Sequence, residues 1–188
     1  MPAFALADRD GLPDALRVLV KEYPRETWET DPGFDELTRF WLDRHLMFRR
    51  LLEEVTKANQ AVLDTNLDPQ RYAATLSRYG GMLVQGLHEH HTIEDQYYFP
   101  KLSQNDSRIL KGFDILDSDH HALDRYLLDF TTKANATLQG AQTTSGLVDA
   151  VGALHTATGQ LANLLDRHLI DEEELVVPVI LRYGAPQM

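Results

Sequence analysis

From about residue 34 to residue 182, apolar side chains return at steps of three and four, the mark of helices that each bury one face. Nothing alternates apolar with polar for long, so a sheet has no material to form from. Four long helices are expected. The first spans about 34–63, opened by Asp31-Pro32-Gly33 and closed before Asp64-Thr65-Asn66, with the stripe Leu37, Trp41, His45, Phe48, Leu52, Val55. The second spans about 69–100, with Leu76, Leu83, Leu87, His90, Glu94, Tyr97. The third spans about 107–138, with Phe113, Leu116, His120, Leu123, Leu127, Phe130, and ends at Gly140 before a polar loop through Ser145 and Gly146. The fourth spans about 146–182, with Leu154, Leu161, Leu165, His168, Glu172, Leu175, Val179, and stops at Tyr183-Gly184-Ala185-Pro186.

Short connections make consecutive helices antiparallel neighbours, so the expected fold is all-α: an up-down-up-down four-helix bundle over 34–183. Residues 1–33 form an N-terminal arm, and 184–188 a tail. Within the arm, Pro13–Tyr23 reads as one short helix with Leu12, Leu16 and Val20 on its face. The arm is expected to pack on the bundle or on a second copy of the chain.

All four stripes carry the same anomaly. His45, His90, Glu94, His120, His168 and Glu172 stand where core residues belong. A buried ionised carboxylate is very unfavourable unless it is paired, hydrogen-bonded or bound to a metal. His90 and Glu94 are four apart on a helix, as are His168 and Glu172, so each pair points one way. Counted from the helix ends, the six groups fall in one layer. The sequence also repeats itself: HHTIEDQYYFP from His90 to Pro100 and HLIDEEELVVP from His168 to Pro178 share His, three residues, Glu, an acid, four residues, Pro. Two hairpins of like design, each giving one lone His and one His-xxx-Glu, would build a near-symmetric site. Four imidazoles and two carboxylates suit two divalent ions better than one. Imidazole with carboxylate and no thiolate suits iron, manganese or zinc. Iron is preferred, because bundle cores holding His and Glu are the usual home of such di-metal sites.

Composition removes rival classes. There is no cysteine, which excludes disulfides, thiolate metal sites and Cys nucleophiles. A net charge of -11 disfavours nucleic acid and anionic membranes as partners. No apolar run is long enough to span a membrane. The opening MPAFALADRDG meets charge too early for a signal peptide, so a cytoplasmic location is expected. No nucleophile elbow, phosphate loop or dinucleotide fingerprint occurs.

The order His45, H90-HTI-E94, His120, H168-LID-E172, with Pro100 and Pro178 closing the two blocks, resembles the hemerythrin-like, HHE cation-binding proteins over about residues 38–182. The resemblance implies a non-heme di-iron centre, oxo- or hydroxo-bridged, in a four-helix bundle. Glu94 and Glu172 would be bridging carboxylates, and His45, His90, His120 and His168 terminal ligands. Two departures stand out. Oxygen-carrying members have a His pair on the third helix and His-xxxx-Asp on the fourth, whereas here Glu172 follows His168 by four. Iron-sulfur repair members carry an N-terminal cysteine, which this chain lacks.

Around these six, His91 and His121 are open between extra ligand, proton shuttle and surface. His88 and His155 read as surface, Tyr97 and Tyr98 as core packing with Tyr97 within reach of a ligand. Asp95, Glu173 and Glu174 read as a solvated face or as groups orienting a ligand His; Asp117, Asp119 and Asp124 read as mostly solvent. Trp41, Phe48, Phe113 and Phe130 read as core. Three functions follow: a module binding or sensing a small ligand (oxygen, nitric oxide) or iron and redox state; an enzyme acting on peroxide, nitric oxide or ferrous iron; or a structural metal site beneath an interacting arm, with a homo-oligomer formed through that arm.

Overall fold

The computed structural model of the protein describes residues 4–64, 68–143 and 146–186. The sequence breaks at Thr65-Asn66 and Ser145, and the last two residues of the tail, lie outside the described residues. The architecture is the all-α four-helix bundle with an N-terminal arm, and no strand occurs among the described residues. The elements are α1 (Val18–Glu22), α2 (Glu36–Leu63), α3 (Pro69–Ile93), a π turn (Glu94–Tyr98), α4 (Phe99–Leu102), α5 (Leu110–Thr143) and α6 (Leu147–Tyr183).

The starts are set by aspartates. Asp35 accepts from the Thr38 backbone N–H at 2.8 Å ahead of α2. Asp68 accepts from the N–H groups of Gln70 and Arg71 ahead of α3, where Pro69 supplies a first helical residue that needs no donor. Asp106 accepts from Arg108 N–H ahead of α5. At the far end of α6, Gly184 takes φ of 85° and donates to the Ile180 carbonyl, the left-handed stop that favours glycine.

Three expectations change. The second helix does not run uniformly to Pro100. It becomes a π turn over Glu94–Tyr98, with Phe99 N–H donating to the Glu94 carbonyl, and Pro100 follows, unable to donate to the preceding turn. The third helix outlasts Gly140 and continues to Thr143, since glycine permits the helical conformation and does not by itself end it. The arm is not one helix from Pro13 to Tyr23. A 3-10 turn (Asp14–Leu16) breaks at Arg17 before α1, and Leu19 rather than Val20 joins Leu12 and Leu16 as a fully buried residue. A further 3-10 stretch, Arg25–Thr30, buries Trp28.

The chain divides into two compact units. One comprises Met1–Leu46, His90–Ala122 and Asp166–Met188. Its core joins Leu12 and Leu19 of the arm to Trp41, Phe99, Phe113, Leu116, Leu175 and Val179, so the arm packs on the helices of its own chain. Every sequence-selected His and Glu of the candidate site lies in this unit. The other comprises Met47–Glu89 and Leu123–Leu165. Phe48, Tyr72, Leu76, Phe130, Leu154 and Leu161 are buried there, as expected for Phe48 and Phe130. A buried polar chain crosses it: Tyr72 Oη donates to Asn59, whose amide donates to Thr158.

Candidate metal centre

The helical periodicity that buries one face of each long helix also delivers His45, His90, Glu94, His120, His168 and Glu172 into the interior, all of them buried. They meet. His45 and His90 bring their Nε2 atoms to 3.0 Å, and His120 and His168 bring theirs to 3.1 Å. Each hairpin thus contributes one imidazole pair.

The two carboxylates lie between the pairs. Glu94 places Oε1 2.9 Å from His90 Nε2 and Oε2 3.6 Å from His120 Nε2. Glu172 places Oε1 3.2 Å from His45 Nε2 and Oε2 3.3 Å from His168 Nε2. One oxygen of each carboxylate therefore faces one imidazole pair and its sister faces the other.

His91 joins them. It is buried, stacks on His120 with ring centroids 4.0 Å apart, and sits edge-on to His168. His121 does not: it is 76% exposed beside Asp117. His88 is exposed, as expected, and His155 is half-buried. Tyr97 is half-buried under Lys101, and Tyr98 packs edge-on against Trp41. Two groups of ligand atoms fall within 4.8 Å: His91, His120 and His168, and His45, His90, Glu94 and Glu172.

The outer nitrogens of three rings are held by carboxylates. His45 Nδ1 meets Glu173 at 2.9 Å, His120 Nδ1 meets Asp95 at 2.7 Å, and His168 Nδ1 meets Asp119 at 3.3 Å. A carboxylate on Nδ1 fixes the tautomer, leaves Nε2 with its lone pair inward, and raises the basicity of the ring. Asp119 and Glu173 are thus not solvent residues. Both are buried, because each is neutralised by an arginine from the arm, Arg9 and Arg25 respectively. Glu174 is partly buried against Arg17, and Asp124 is exposed as expected. Sequence reasoning missed Asp171, fully buried and bonded to Arg9 and Arg167, and the indole of Trp41, which donates to Glu172. The repeat held a signal for two of the outer groups: Asp95 and Glu173 occupy equivalent places in the two blocks, each directly after the shared Glu.

The interior is electrostatically unsettled. Glu94 is driven well above the usual carboxylate range by burial and by Glu172 beside it. Burial also pushes Glu172 up, but His45, His168 and His90 outweigh it and hold Glu172 well below that range. Burial lowers His90 to about 3, with the neighbouring imidazoles adding to it, and lowers His91 well below its ordinary value. Burial opposes charge on His168 too, yet Asp119 and Glu172 raise it to about 9. Both oxygens of Glu94, Oε2 of Glu172 and Nε2 of His91 have no hydrogen-bond partner. Buried polar atoms are rarely left so. Orphaned oxygens and imidazole lone pairs converging on one place are the donor set that divalent cations take.

The family model for the hemerythrin HHE cation binding domain matches residues 36–180. The chain belongs to the hemerythrin HHE cation-binding family. No curated protein and no solved structure matches it. The hemerythrin domain's matched span reaches all four long helices and holds every inward-facing His and Glu named above, while the arm with Arg9, Arg17 and Arg25 lies outside it. No described helix is long and apolar enough to cross a membrane.

Proposed function

We propose that this hemerythrin domain holds two metal ions, iron by preference, and uses them to bind or sense a small ligand such as oxygen or nitric oxide. His45 and His90 would hold one ion and His120 and His168 the other, with His91 added to the second and Glu94 and Glu172 bridging. The observation that carries the reading is the division of each carboxylate, one oxygen to each imidazole pair, with no hydrogen-bond partner for three of those four oxygens. A bound iron pair supplies reversible redox chemistry. The residues supply the rest. Asp95, Asp119 and Glu173 orient three imidazoles, Trp41 steadies Glu172, and Phe99 stacked 5.4 Å from His120 keeps that ring dry.

A pocket of about 70 Å³ reaches the His90 and Glu94 side, lined by Leu37, Phe40, Trp41, Arg44, Ile93 and Tyr98. A water needs about 10–15 Å³ of such space, so the pocket has room for a diatomic or a peroxide. The test is an anaerobic ferrous titration of metal-free protein, then air, followed by absorbance. A break at two irons per chain and near-ultraviolet bands of a coupled ferric pair are expected. No break, or one iron without those bands, overturns the di-iron reading. Sustained consumption of peroxide or nitric oxide would mark an enzyme instead of a binder.

A further inference from the structure

The block D171-E172-E173-E174 places four acids in a row on α6, three of them buried. Glu172 faces inward. Each of the other three is bonded by a different arginine of the arm, and the three arginines are spaced eight apart: Arg9 to Asp171 at 2.9 Å, Arg17 to Glu174 at 2.9 Å, Arg25 to Glu173 at 2.6 Å. Arg9 also grips Asp119 with two nitrogens, one of them at 2.8 Å. Asp119 and Glu173 are the carboxylates on His168 Nδ1 and His45 Nδ1. Two continuous chains result, Arg9–Asp119–His168 and Arg25–Glu173–His45, one ending on each side of the bridging pair. None of these arginines lies in the span that the family model matches.

We propose that Arg9 and Arg25 are positioning residues of the metal centre, through which docking of the N-terminal arm sets how tightly each of the two sides holds its ion. The inference rests on the metal reading above. An arginine fork fixes the plane of a carboxylate in a way that a lone charge does not. A carboxylate so fixed points the imidazole it holds, and outer partners of this kind change metal affinity ten- to hundredfold. Arg9 is buried, with 4% of its side chain exposed, whereas Arg25 is 46% exposed. Water competes for Arg25, so Arg9 carries the larger effect. Because linkage is reciprocal, a loaded centre also tightens the arm.

The test uses the full chain with cobalt(II) as probe in place of iron. Wild type, Arg9→Gln, Arg9→Lys and Arg25→Gln are titrated by visible absorption. The hyperfine-shifted imidazole N–H resonances of the loaded proteins are then read by proton NMR, assigned with Asp119→Asn and Glu173→Gln. Arg9→Gln is expected to weaken cobalt binding by tenfold or more and to move the His168 N–H resonance, leaving that of His45 in place. Arg25→Gln is expected to do the reverse with a smaller loss. Arg9→Lys, which keeps charge and loses the fork, falls between. The His120–Asp95 resonance is the internal control, because neither arginine bonds Asp95. Folded variants with wild-type affinity and unmoved resonances would overturn the role of the arm, as would equal movement of all three resonances, which is what a merely structural strap gives. Should Arg9→Gln fail to fold, Arg25→Gln and Arg9→Lys decide the matter. Wild type that takes up no cobalt would instead overturn the metal reading itself.

Discussion

Replacing Glu94 by Gln should separate what the centre does for metal from what it does to the metal-free fold. Glu94 is fully buried beside Glu172, burial and Glu172 drive its carboxyl well above the usual range, and its oxygens find no well-aligned hydrogen bond. Leaving a buried polar group unsatisfied costs about 1–3 kcal/mol. Glutamine keeps the shape, is neutral at pH 7 without taking up a proton as the buried carboxyl must, and has an amide that can donate to Glu172. Metal-free Glu94→Gln should therefore be more stable than metal-free wild type by roughly that amount. At roughly 2–4 °C per kcal/mol for a chain of this size, the rise in Tm is roughly 2–12 °C. The order should invert on loading. A ligand at a hundred times its Kd stabilises by about 2.7 kcal/mol, so excess zinc or cobalt should raise wild-type Tm by roughly 5–11 °C. The variant should gain far less. Calorimetry of chelated and loaded samples of both proteins at pH 7 reads all four values. A lower Tm for metal-free Glu94→Gln would refute the reasoning, because it would mean that the carboxyl already satisfies its neighbours without a cation.

His91→Leu places at residue 91 the side chain that the second block has at Leu169; it should leave the metal-free fold at least as stable and weaken uptake of one of two ions, seen as a second break moving to higher concentration in a cobalt titration. Asp106→Ala should lower Tm at pH 7, since Asp106 accepts from Arg108 N–H in the turn ahead of α5, bonds the Arg108 side chain and accepts from Tyr183 Oη, and one such hydrogen bond is worth about 1 kcal/mol. The Arg108 guanidinium holds Asp106 down at about 2, so its stabilisation is complete above 3.8 and vanishes as pH falls through about 2; urea melts of wild type and variant should converge over that window. Gly33→Ala should destabilise by about 1–3 kcal/mol, because a Cβ there would stand 2.5 Å from the Leu181 carbonyl oxygen and backbone cannot step aside as a flexible side chain can; a thermal melt within error of wild type would contradict this.

The fold was legible because a helix stripe and a bundle core are the same fact seen at two scales. The six inward His and Glu residues were legible for the converse reason: they break stripes that are otherwise apolar. His91 was not, since it stands about 100° round the helix from His90 and its burial depends on what stacks against it, here His120. Asp119 and Glu173 look like solvent residues until Arg9 and Arg25 arrive from about 110 and 148 residues away. No local pattern carries a pairing of that range. The π turn at Glu94–Tyr98 was hidden likewise, because the sequence before Pro100 looks helical up to the proline.

The repeat explains why Asp95 and Glu173 reach across between hairpins. Asp95 follows Glu94 in the first block and Glu173 follows Glu172 in the second. Each inner glutamate turns inward between the two imidazole pairs, and the next residue, about 100° further round, then faces the adjoining helix. That helix carries the lone His of the other hairpin: Asp95 finds His120, and Glu173 finds His45. Each hairpin thereby fixes a ring that it does not own, while Asp119 holds His168 within the second hairpin. The symmetry is incomplete. His91 stands where Leu169 stands in the second block, and Arg25 backs Glu173 while Asp95 is 30% open to solvent. Two sides built alike but furnished differently should hold their ions with unequal strength, and the side with three imidazoles should fill first.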